Sequence, residues 1–164
     1  MNKLGLLIPF LLCSVAFAAH VELQKCHHFS GKHNLPLWVD ISCCDGHVCN
    51  IVAGEPITIT IAINPQLTCD GVNVELYIDA GLLLNIPVPA MDACPYCVTG
   101  CPINSSLDEV VFEITVPLPL DIKIPAIECN IEVLFTDVKT GKSLSCTGID
   151  LQFGGGKKGI FGLY

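Results

Sequence analysis

From Ile57 onward the chain alternates apolar and polar side chains in short runs separated by turn residues, and no stretch keeps the spacing of an amphipathic helix. The clearest run is Ile57–Ile63. Ile57, Ile59, Ile61 and Ile63 share one face, and Thr58, Thr60 and Ala62 share the other. Period-two alternation of β-branched residues predicts a half-buried strand. Val72–Asp79 behaves alike, with Val72, Val74, Leu76 and Ile78 inward. Val110–Val116 sets Val110, Phe112, Ile114 and Val116 on one face, and Ile127–Phe135 sets Ile127, Cys129, Ile131, Val133 and Phe135 on one face. Asp137–Lys142, with Thr140-Gly141, reads as a hairpin turn into a last strand, Ser143–Phe153, and Leu35–Ile41 is a short first strand. Seven or so short strands at turn-separated spacing predict an all-β antiparallel sandwich.

Two apolar segments are punctuated by proline. Leu82–Val88 runs into Pro87 and Pro89, and residues 117–125 read Pro-Leu-Pro-Leu-Asp-Ile-Lys-Ile-Pro. Proline lacks the N–H that a central strand must donate, so Leu82–Val88 reads as an edge strand or a strand end with apolar side chains. Asp45-Gly46 is a tight-turn dipeptide, which lets Cys44 and Cys49 close a small loop.

The beginning of the chain changes the picture. Lys3, an apolar run over Leu4–Leu12 too short to span a bilayer, and Ala16-Phe17-Ala18 together read as a secretory signal. Residues 1–18 are expected to be removed, leaving a domain over 19–153 and a Gly/Lys-rich tail over 154–164. Of eleven cysteines, Cys13 leaves with the signal, and the remaining even number predicts a disulfide framework. The formal charge is −8 and no arginine is present. Nucleic acids and anionic membranes select clustered cations, so both are disfavoured as partners. Charged residues make up only 15% against 51% hydrophobic, so some apolar surface is expected to line a cavity as well as a core.

The cysteine-rich stretch 94–101 admits three readings. Cys94-Pro95-Tyr96-Cys97 has the letters of a glutaredoxin motif. That chemistry needs the first thiol at a helix N-terminus within a βαβ unit, and Val98-Thr99-Gly100-Cys101-Pro102 cannot build that helix. A zinc site would need a fourth ligand, and no closed pattern is present here or among His20, His27, His28 and His33. A disulfide-closed loop remains, so neither a metal nor another cofactor is expected, and no catalytic constellation stands out. Carboxylates fall on outward strand faces, where they read as solvated. Asn104-Ser105-Ser106 is a glycosylation acceptor in a turn.

The order of these features resembles the ML lipid-recognition domain, and within it the Niemann–Pick type C2 proteins and their arthropod relatives. The residues that carry the resemblance run from Val21 to Phe153. They are Cys26, Cys44-x4-Cys49, Ala53-Gly54 with the alternating strand, Ile86-Pro-Val-Pro89, Asp92-Ala-Cys94, Cys101-Pro-Ile103, Leu118-Pro-Leu-Asp-Ile-Lys-Ile-Pro125 and Ser143-Leu-Ser-Cys146. The resemblance implies an immunoglobulin-like β-sandwich of two antiparallel sheets with an apolar cavity between them. It implies bridges Cys26–Cys146, Cys44–Cys49, and Cys101 with Cys94 or Cys97, Cys94 being favoured because it follows Asp92-Ala93. Cys43, Cys69, Cys97 and Cys129 fall outside that pattern.

The implied function is non-catalytic sequestration of a sterol or similar apolar lipid by a secreted or endosomal/lysosomal monomer, with a membrane transporter or receptor as acceptor. Leu82, Leu84, Ile86 and Val88 would form one wall and Leu118, Leu120, Ile122 and Ile124 the other. Phe112, Ile114, Val116 and Ile131 would lie deeper, and Ile86, Leu120 and Ile124 would mark the mouth. Two alternatives are a carrier of fatty acids or semiochemicals and an extracellular innate-immune or receptor-associated module.

Overall fold

A computed structural model describes residues 20–52, 54–81, 85–117 and 127–153, with residues 85 and 86 described in their backbone. The period-two runs become strands: β1 (Trp38–Ile41), β2 (Cys44–Asp45), β3 (Val48–Cys49), β4 (Ile57–Ile63), β5 (Val72–Asp79), β6 (Asn85–Asp92), β7 (Val110–Val116), β8 (Ile127–Asp137) and β9 (Ser143–Phe153). They form two sheets, a three-stranded one in the order β1-β4-β7 and a six-stranded one in the order β2-β3-β9-β8-β5-β6. Among the described strands the pairings are antiparallel, except that the short β3 runs parallel to the end of β9.

Register explains why the inward faces coincide. Directly opposed residues on neighbouring strands point to the same side of a sheet. Ile59 opposes Ile41 on one side and Ile114 on the other. Ile131 opposes Ile78 and Ile149, and Leu76 opposes Val133. The two apolar faces meet, and Phe112 of one sheet stacks on Phe135 of the other with ring centroids 4.6 Å apart. Val39, Ile63, Val72, Val74 and Val110 are fully buried around them.

The proline-punctuated segment does form an edge. β6 pairs with β5 and, among the described strands, ends the six-stranded sheet, a position where the missing N–H groups of Pro87 and Pro89 are tolerated. The strand runs on through Met91 and Asp92, past a bulge between Val74 and Leu76 in its partner. The β8–β9 turn is held by Asp137, whose carboxylate accepts from the backbone N–H of Thr140 at 2.9 Å and from its hydroxyl at 2.5 Å. Gly141 supplies the φ of 67° that closes this turn.

The sequence placed Glu132 on an outward strand face as a solvated carboxylate, and the structure corrects this. Glu132 is 3% exposed. The N-terminal segment folds over the outer face of β8 and β9, and the carboxylate accepts backbone N–H groups of His27, His28 and Phe29 at 2.7–3.3 Å. The same segment is tied down by the Cys26–Cys146 disulfide and by reciprocal backbone hydrogen bonds between Gln24 and Gly148. This cover explains why six consecutive residues of β9, Leu144–Ile149, are buried where alternation alone would expose half.

Candidate functional site: an apolar cavity between the sheets

Toward one end of the sandwich the inward side chains do not meet, and a cavity of about 370 Å³ remains. The three-stranded sheet contributes Ile41, then Ile57, Ile59 and Ile61 of β4, then Ile114 and Val116 of β7. The six-stranded sheet contributes Leu76 and Ile78, Met91, Ile131 and Val133, and Ile149, Leu151 and Phe153. Cys43 and Ile51 flank the β2–β3 hairpin and complete the lining. Among the described residues, no charged side chain and no hydrogen-bonding amide or hydroxyl side chain belongs to this wall. Val116 is 42% exposed while lining the cavity, so the cavity opens beside it.

Such a wall can hold apolar surface and little else. Among its described residues there is no general base and no nucleophile paired to a base. Polar hollows elsewhere have a different character: one beside the Cys26–Cys146 bridge carries Lys25, Lys32 and His33, and another carries Asp79, Glu128, Asn130 and Asp150.

The expected wall residues fall into three groups. Ile114, Val116 and Ile131 line the cavity. Phe112 is 1% exposed and belongs to the close-packed core, because its ring turns onto Phe135. Val88, opposite Leu76 on the edge strand, is half-buried and is not one of the described residues that line the cavity. Ile86 opposes Ile78 in backbone register. Leu82, Leu84, Leu118, Leu120, Ile122 and Ile124 lie outside the described residues, as do residues 1–19 and 154–164. The sequence reading placed the isoleucines of β4 on one face and Leu76 and Ile78 inward without naming them as wall, and Ile57, Ile59, Ile61, Leu76 and Ile78 line the cavity. Alternation shows which way a side chain points and says nothing of how far away the opposite sheet lies.

Three disulfides frame the domain: Cys26–Cys146, Cys44–Cys49 and Cys94–Cys101. Cys94-Pro95-Tyr96 makes one 3₁₀ turn and Cys97 leaves it in extended conformation, so the redox-like motif has no helix behind it and its first thiol is consumed in a bridge. Cys43, Cys69, Cys97 and Cys129 are free. Burial is the leading cause that pushes the thiols of Cys43, Cys69 and Cys129 up from their ordinary range. The sulfurs of Cys43, Cys44 and Cys49 lie within 4.8 Å of one another, but the Cys44–Cys49 bond leaves one thiol there, too few for a metal. Asn104 is exposed. Among the described residues no helix is long and apolar enough to cross a membrane.

Comparison with known proteins agrees with this geometry. The family model described as the ML domain matches residues 20–153, the full span of the described residues. The chain belongs to the ML-domain family. This is a family of lipid-binding proteins, and the apolar cavity lies where the two sheets of the ML domain part. Among solved structures, a Niemann–Pick type C2 protein from the Japanese carpenter ant matches with a TM-score of 0.63 at 17% identity, over 81% of this chain and 99% of that one. At that identity the likeness shows the fold. An alkylpurine DNA glycosylase from Pseudomonas fluorescens aligns with a TM-score of 0.34 at 13% identity, over 69% of this chain and 28% of that one, too slight to carry an argument. A direct comparison with curated protein sequences finds no match.

Proposed function

We propose that the protein is a secreted carrier that sequesters one small apolar lipid, a sterol or a fatty acid, between its two sheets. The observation that carries this reading is the wall itself: about 370 Å³ of space whose described lining is aliphatic and aromatic side chains, one thioether and one thiol. Ligand pockets span roughly 300–1,000 Å³, so this cavity suits one slender hydrocarbon. Each Å² of apolar ligand surface taken from water contributes about 25 cal/mol, and no bond need be made or broken. The unbranched thioether of Met91 can adapt the wall to different ligands. Ile86, Leu120 and Ile124 would form the mouth, and Leu82, Leu84, Val88, Leu118 and Ile122 its surroundings. A membrane transporter or receptor would accept the cargo, and the carrier would act as a monomer.

Secretion is supported by the signal-like residues 1–18 and by the three disulfides. N-terminal sequencing of the released protein should begin at Ala19. The exposed Asn104 would carry a glycan, seen as a mass shift on treatment with an N-glycosidase.

The binding test is displacement of an apolar fluorophore. Fatty acids or sterols should displace the dye at one equivalent, and Ile114→Phe, which pushes a ring into the cavity, should weaken binding at least tenfold while the fold is kept. Dye that neither enters the folded protein nor is displaced by either lipid class would overturn the reading.

A further inference from the structure

The cavity wall is apolar except for one thiol, and that thiol lies beside a disulfide. Cys43 lines the cavity and is free. Its Sγ is 3.7 Å from the Sγ of Cys44, and the three sulfurs of Cys43, Cys44 and Cys49 lie within 4.8 Å of one another. The backbone already holds Cys43 against the far arm of the hairpin, since the N–H of Asn50 donates to the Cys43 carbonyl at 2.8 Å. Cys43 therefore sits in the turn directly before β2, one backbone hydrogen bond beyond the Cys44–Cys49 pair.

We propose that Cys43, Cys44 and Cys49 form a thiol–disulfide exchange centre in the cavity wall, through which the bridge migrates from Cys44–Cys49 to Cys43–Cys49. The Cys43 thiolate attacks the Sγ of Cys49. A new Cys43–Cys49 bond forms, the Cys44–Cys49 bond breaks, and the electron pair of the broken bond leaves on the sulfur of Cys44. That sulfur takes up a proton equivalent to the one Cys43 gave up. One disulfide and one thiol exist before and after, so the step needs no external oxidant or reductant.

The two isomers differ at the cavity. Exchanging Cys44 for Cys43 as the bridging partner shifts one end of the cross-link by a residue, from β2 into the turn that precedes it. In the first isomer Cys43 presents a thiol to the wall beside Ile51. In the second that sulfur is bonded to Cys49, and Cys44 carries the free thiol. The β2–β3 hairpin, which pairs with the end of β9, thus has two covalent states next to Leu151 and Phe153.

The chemistry of the thiol sets the pace. Burial is the larger influence on Cys43 and pushes its thiol up, a hydrogen bond with its own backbone opposes this, and no charged side chain acts on it. Apart from Cys43 itself, the described lining of the cavity holds no titratable side chain. The thiolate fraction, and with it the exchange rate, grows about tenfold per pH unit below the thiol's pKa.

The test locates the free thiol by two-colour alkylation of the full secreted chain. The protein is held at mildly acidic or mildly alkaline pH, trapped in acid with a maleimide, then reduced and labelled with a second reagent. Fragmentation mass spectrometry finds which cysteine carries the first label. The expected result is label on Cys43 after acid incubation and a fraction on Cys44 that grows with time in alkali to a plateau. Cys43→Ser, which keeps all three bridges, should show no first label at Cys44 or Cys49. Label confined to Cys43 after prolonged alkaline incubation would overturn the proposal. So would finding Cys43 already bonded to Cys69, Cys97 or Cys129, or label on Cys44 in the Cys43→Ser variant.

Discussion

Glu132 holds the N-terminal segment through three part-buried backbone N–H groups, and a hydrogen bond to a charged group contributes about 1.5–3 kcal/mol. Glu132→Ala should therefore lower unfolding free energy by about 3 kcal/mol, with Glu132→Gln milder because the amide oxygen still accepts. Urea titration reads both, and protease sensitivity near residues 27–29 should rise in the alanine variant. Asp137 gives a pH signature. The Thr140 hydroxyl, then the Thr140 backbone N–H, hold its carboxyl below the usual carboxylate range against the opposing effect of burial. A lowered native pKa contributes stability that is full above the ordinary carboxylate pKa and is lost as pH falls through the native value. The stability gap between the natural chain and Asp137→Asn should thus be largest near neutrality and shrink in acid, as followed by thermal unfolding across pH. Neither role was legible in the sequence. Glu132 sits at a polar position of an alternating strand, and only the N-terminal segment closing over it makes it a buried anchor.

Strands were the legible part of the molecule, because a buried face writes itself at every second position. Ile57–Ile63, Val72–Asp79, Val110–Val116 and Ser143–Phe153 are strands over those residues. β1 starts at Trp38 where the pattern suggested Leu35, because Pro36 precedes it and Leu37 already turns outward at 49% exposure. What the pattern could not show is which inward residues touch the opposite sheet. On β7, Phe112 is packed against Phe135 while Ile114, two residues on, faces empty space. The two should respond differently to truncation. Phe112→Ala should cost about 3–5 kcal/mol by opening the core. Ile114→Ala should cost clearly less, since its side chain already has a void on one side, and should alter ligand affinity more than stability. Urea unfolding and dye displacement on the same two variants separate these outcomes.

At the scale of the whole molecule, two features define the account: a covalent frame and a space the core leaves unfilled. The Cys26–Cys146 bridge spans 120 residues and ties the N-terminal segment to β9. Chain-entropy arguments give a bridge of that span on the order of 5 kcal/mol, against about 2.5 kcal/mol for a loop as short as Cys94–Cys101. Replacing both cysteines of the long bridge by serine should therefore lower the midpoint of thermal unfolding the more. The composition had announced an excess of apolar residues over what a core needs, and the order of the cysteines and prolines announced the ML fold. The resemblance announced a space between the two sheets, but not that Ile57, Ile59, Ile61, Leu76 and Ile78 line it, because that depends on how far two sheets splay, and no single strand encodes that distance. The measurement that bears most directly on the carrier reading is native mass spectrometry of the secreted protein, followed by organic extraction and lipid identification. The account predicts a complex with one sterol or fatty acid per chain. A protein that flies empty, and stays empty after incubation with sterols and fatty acids, would contradict it.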